Sequence, residues 1–118
     1  MSYDLKLKDP LTGETILLAE DHHITGGTYA LGGTKEAWIN ITYNYGGIFR
    51  QVLGENGIRT IYGMTGAEAL PLLEKAIYQL KSDMTDNYWD ATEGNAKKAL
   101  LNVAALSALA PQGIWSGD

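Results

Sequence analysis

Tyr43, Asn44 and Tyr45 stand in a row, two glycines follow, and Arg50 comes next. Trp38 lies five residues before this run, and Arg59 and Tyr62 lie beyond it. Together they bring flat stacking faces, amide hydrogen bonders and guanidinium forks into one stretch. Such groups suit a planar, anionic or hydrogen-bonding ligand. They equally suit a protein interface, where Tyr, Trp and Arg are the enriched types. An aromatic core with solvated arginines accounts for part of the stretch, since a core needs apolar residues. It does not account for tyrosines alternating with asparagines. The candidate ligand-binding residues are therefore Trp38, Tyr43, Asn44, Tyr45, Arg50, Arg59, Tyr62 and His23.

Other chemistry is thinner. His22 and His23 follow Asp21, but adjacent histidines on a strand point to opposite sides, and no third His or Cys completes a metal site. No metal and no cofactor is expected. The glycine pairs Gly26-Gly27 and Gly32-Gly33 match neither a Walker loop nor a dinucleotide fingerprint, so turn formation explains them better than phosphate binding. No serine or cysteine nucleophile motif is present. Carboxylate pairs such as Asp90 and Glu93 read as helix caps. Catalysis is weakly supported, and no catalytic residue is assigned.

The elements that would position these groups can be read from periodicity. Tyr3, Leu5 and Leu7 alternate with Asp4, Lys6 and Lys8, as in a half-buried strand, and Asp9-Pro10 and Gly13 turn it back along Glu14 to Leu18. The run Tyr29 to Leu31, between the glycine pairs, fits a second tight hairpin or a loop. Ala37, Ile39, Ile41 and Tyr43 form the core face of a clear strand, with Trp38, Asn40 and Thr42 opposite. Ile48, Phe49, Val52 and Leu53 predict a short helix ended by Gly54 or Gly57. Ile58 to Tyr62 fits either a strand or an ordered loop. Thr65 and Glu68 form a capping-box pattern, while Pro71 argues that the regular helix starts there or kinks. A last helix runs towards Pro111 and Gly113, with Asp90 and Glu93 as its expected cap. From Ala99 onward it is apolar almost all round, which predicts a central helix or one that packs against another subunit.

A strand-rich first half and helix-rich second half predict an α+β fold: a small antiparallel sheet packed against two or three helices, in a single domain over residues 1–118. The 118 residues are 45% hydrophobic, enough for one core, and contain no cysteine. The formal charge of −5 argues against direct nucleic-acid binding. No span is long enough for a bilayer, and the charged, alternating start does not read as a signal peptide. A cytoplasmic protein with no membrane partner is the expectation. The apolar last helix and the Trp115 region predict a homo-oligomer.

The stretches "GGTYALGGTKEAWINITYNYG", "NYWDATEGNAKKAL" and "PQGIWSGD" resemble a group of small uncharacterised proteins of bacteriophages and prophages. The resemblance spans nearly the whole chain and carries no catalytic residues with it. It implies a small accessory protein made in a host bacterial cytoplasm. Proteins of that kind commonly bind a host defence component or sequester a nucleotide signal. The expected function is thus non-catalytic binding against host defence, with a nucleotide-like small molecule as the ligand. The alternatives are a protein-binding inhibitor of a host defence complex, of the anti-CRISPR type, and a small enzyme acting on a nucleotide with His22 or His23 as base. A virion structural role ranks below these.

Overall fold

The computed structural model describes residues 1–22 and 33–118. The fold is α+β, as the order of patterns predicts. Strand β1 (Ser2–Lys8) is the middle of a three-stranded antiparallel sheet, between β4 (Trp38–Thr42) and β5 (Ile114–Gly117). Strands β2 (Leu17–His22) and β3 (Thr34–Glu36) form a separate antiparallel pair. The helices are α1 (Gly46–Leu53), α2 (Gly66–Tyr78) and α3 (Glu93–Leu109). None of the described helices is long and apolar enough to cross a membrane.

Register explains which face is buried. Tyr3 lies opposite Ile41, Leu5 opposite Ile39, and Leu7 opposite Trp115. Residues directly opposite share a face of the sheet, so these six side chains make one apolar layer. Phe49, Leu73, Leu100, Val103 and Leu106 close over it from the helices, all fully buried. The other face carries Ser2, Asp4 and Asn40. Asn40 Nδ2 donates to Ser2 Oγ and Asp4 Oδ1, at 2.7 and 2.6 Å, which satisfies a buried amide.

Several expectations are corrected. The turn after β1 forms, with Asp9 Oδ1 accepting from the Leu11 and Thr12 amides and Gly13 at φ 75°. Its return strand, however, meets β1 only around Thr15 and Ile16, because residues 17–22 leave to pair with β3. Tyr43 does not extend the strand face; it begins a 3-10 turn, Tyr43–Tyr45. Residues Gly57–Ile61 are a 3-10 helix, neither strand nor loop. Helix α3 is capped by Thr92, whose side chain accepts from the Asn95 amide, and not by Asp90. The Glu93 carboxylate instead accepts from the Lys81 amide, which binds the incoming loop.

Two expectations concerned the end of the chain. Trp115 is 1% exposed and belongs to the core, where its Nε1 donates to Ser107 Oγ at 3.0 Å. It cannot contribute to an exposed interface. Helix α3 does present an apolar outer side, with Leu101 and Leu109 exposed, but its other side packs on α2 and β4. It is amphipathic in burial though not in composition. The hairpin expected around Tyr29 to Leu31, the pair Gly26-Gly27, and Gly32 and His23 lie outside the described residues.

Candidate ligand-binding site

Three local features place the tyrosines and arginines. The Thr42 hydroxyl accepts from the Asn44 amide at 3.2 Å and starts the 3-10 turn. With three residues per turn, consecutive side chains point about 120° apart, so Tyr43 and Tyr45 part company. Tyr43 stays at the surface, while Tyr45 is driven fully into the core. In the second 3-10 segment Ile58 and Ile61, three apart, eclipse one another and are buried, which leaves Arg59 outside. The chain after Tyr62 then runs along β5: Gly63 donates to the Trp115 carbonyl at 2.9 Å, and Trp115 donates to the Met64 carbonyl at 2.8 Å. That pairing sets Tyr62 beside the end of β5.

The result is a cluster around one carboxylate. Tyr43 Oη donates to Asp118 Oδ2 at 2.8 Å, Tyr62 Oη reaches Oδ1 at 3.4 Å, and Arg59 Nη2 lies 3.5 Å from Oδ2. The Arg59 guanidinium sits over two rings, 5.0 Å from the Tyr3 centroid and 5.6 Å from that of Tyr43. Tyr3 and Tyr43 meet edge to face at 4.5 Å. Arg59 and Asp118 side chains are 48% and 39% exposed, so water competes for the pair and its net contribution to stability is small. The hydrogen bond to Asp118, reinforced by its negative charge, holds the Tyr43 hydroxyl above its ordinary range. Burial does the same for Tyr62, again helped by Asp118.

Arg50 lies alongside. Gly46 accommodates both the Tyr3 hydroxyl and the Arg50 guanidinium, which would stand 2.9 and 3.4 Å from a Cβ there. Arg50 therefore comes to the hydroxyl end of the same ring whose face carries Arg59. Two cations thus lie beside one tyrosine, and Arg50 has no hydrogen-bond or ion-pair partner among the described residues.

The remaining candidates are elsewhere. Tyr45 Oη donates to the Tyr88 carbonyl, and the Asn44 amide donates to the Trp89 carbonyl at 2.9 Å. Both tie the 3-10 turn to the loop before α3. Trp38 lies on the opposite face of β4, half-buried, across from Lys6. His22 is buried, with Nε2 donating to the Glu36 carbonyl at 2.6 Å, which removes that nitrogen from proton abstraction. Among the described residues, no group of three or more acidic or histidine side chains is placed to hold a metal ion.

Sequence reasoning missed Tyr3 and Asp118. Tyr3 reads as one more apolar position of β1, and Asp118 is distant in sequence from Arg59 and Tyr43. Only the pairing of β5 with β1, and of residues 63–64 with β5, makes them neighbours. It also missed a pocket of about 390 Å³ between β4, α3 and the loop before α3, lined by Ile39, Ile41, Tyr45, Tyr88 and Lys98 among others. One wall is pinned by Asn95, whose side-chain amide donates to Thr85 Oγ1 and to the Asn87 and Asp90 carbonyls. Comparison of the chain with protein-family models, curated proteins and solved structures finds no match.

Proposed function

We propose that this protein binds a small anionic, nucleotide-like ligand without catalysis, on the surface formed by Tyr43, Arg59 and Tyr62, with the buried Tyr3 ring beneath Arg59. The observation that carries this is the convergence of two tyrosine hydroxyls and one guanidinium on a single exposed carboxylate. The same three donors suit a phosphate or carboxylate of a ligand. The partly exposed rings of Tyr43 and Tyr62 lie beside them, and Arg50 supplies a second cation for a second anionic group. The resemblance to phage and prophage accessory proteins supplies the biological setting, sequestration of a host defence signal in the bacterial cytoplasm; the exposed Leu101 and Leu109 of α3 support a homo-oligomer.

The test is a thermal melt of the protein against cyclic and linear nucleotides and ADP-ribose, followed by calorimetry of any that stabilise it. A ligand should raise the melting temperature of the wild type. Arg59→Ala should melt normally and lose binding by roughly 1.5–3 kcal/mol, the worth of a charge-assisted hydrogen bond. Arg59→Lys should recover part of it, since lysine lacks the planar fork. A panel without any effect would contradict the proposal. A second reading, a protein-binding inhibitor, is favoured by Trp89, which is 52% exposed next to Asn44 and stacks edge to face on Tyr88. Exposed tryptophan is a common interface anchor.

A further inference from the structure

Resting on the ligand reading above, we infer that Asp118 is an intramolecular occupant of the anion seat, which a ligand oxyanion must displace. Its carboxylate takes the hydrogen bonds that a phosphate or carboxylate oxygen pair would take: one from Tyr43, one from Tyr62, and the attraction of Arg59. The fit is loose. Only the Tyr43 contact, at 2.8 Å, is short; the other two are 3.4 and 3.5 Å.

The route of the backbone favours this placement. A Cβ on Gly117 would stand 2.5 Å from Tyr62 Oη and 2.8 Å from the Asp4 carbonyl oxygen, so a residue without a side chain lets the strand pass under Tyr62. Beyond it, the Asp118 carboxylate reaches the Tyr43 and Tyr62 hydroxyls. No part of the core depends on it: Asp118 is exposed, while the apolar layer ends at Trp115. A carboxylate that serves only as a structural pin would gain little at such an exposed position. As a competitor it has an effect of that same small size, which is enough to be read in an affinity. It neutralises Arg59 at rest and lowers the affinity for any anion by the free energy of its own contacts.

The experiment is calorimetric titration of wild type, Asp118→Ala and Asp118→Asn with three probes: inorganic pyrophosphate, succinate and AMP. Phosphate and carboxylate sources are thereby told apart. Asp118→Ala should bind the preferred probe about fivefold more tightly than wild type, as expected for losing a competing surface ion pair. Asp118→Asn should fall between, because it keeps an acceptor for Tyr43 and loses the charge. A near-ultraviolet titration of tyrosine ionisation gives a second readout. In Asp118→Ala, Tyr43 and Tyr62 should ionise at lower pH than in wild type, and the bound probe should move them back up. If wild type binds a probe and Asp118→Ala binds it equally or more weakly, the occupant inference is overturned while the ligand reading stands. If no variant binds any of the three, both fall. An unchanged tyrosine titration in Asp118→Ala would also overturn the inference, since the carboxylate would then not be at these hydroxyls.

Discussion

Tyr43 and Tyr45 are separated by one residue and have opposite roles. Tyr45 is wholly buried, and its hydroxyl is satisfied by the Tyr88 carbonyl. Burial, with the nearby Tyr88 and Asp90, pushes its ionisation well above the ordinary 10.0. Tyr45→Phe should therefore cost about 1 kcal/mol in a denaturant titration, the net worth of a buried hydrogen bond. The pH dependence follows from the same shift. The hydroxyl stays protonated in the folded chain after it has begun to ionise in the unfolded one, so its contribution is complete below 10.0 and is lost as pH rises above that value. Tyr43 and Tyr62 are shifted in the same direction. Melting temperature should fall steeply above about pH 10, and less steeply in Tyr45→Phe, since phenylalanine cannot ionise. An equal fall in both proteins would show that Tyr45 is not the buried member. Sequence alone marked this stretch as unusual but did not sort it, because Tyr43 reads as a strand residue until the Thr42 cap turns the chain.

At the level of elements, the capping box of α2 is present as its residues indicate. Thr65 Oγ1 accepts from the Glu68 amide at 3.0 Å, and Glu68 Oε1 accepts from the Thr65 amide at 2.9 Å. Pro71 lies inside the helix without ending it. The start at Gly66 is held by tertiary contacts as well: Gly66 and Ala67 donate to the Gly113 and Pro111 carbonyls. Of the two outcomes that Pro71 allowed, a helix start there or a kink, the first is excluded, because the helix already runs from Gly66. Thr65→Ala should lower stability by about 1 kcal/mol, read as a shifted denaturation midpoint at unchanged slope. A midpoint equal to wild type would remove the cap from the account. The cap of α3 is just as local, but Asp90 and Thr92 both fit the pattern and the structure uses Thr92; the strand pairings were legible in proportion to their locality. The strand over 38–42 and the helix over 46–53 follow from short-range periodicity. Strand β5 does not, because four residues carry too little pattern, and only its place beside β1 explains why Trp115 is buried.

For the whole molecule, the outer side of α3 remains to be accounted for. Leu101 and Leu109 are 49% and 59% exposed, and eight residues apart they fall on one helical stripe. The proposed homo-oligomer would use this stripe and not the region around Trp115. Leu101→Lys with Leu109→Lys should convert an oligomer to a monomer in light scattering without lowering the melting temperature of the monomer; a wild type that is already monomeric at micromolar concentration would contradict oligomer formation. The central claim, that the Tyr43, Arg59 and Tyr62 surface holds a small anionic molecule, is tested most directly by native mass spectrometry of the protein isolated from phage-infected bacterial cells. Wild type should carry one added mass of nucleotide size per chain, and Arg59→Ala should carry none. A wild type that leaves the cell bare, or that retains a host protein in place of a small molecule, would contradict it.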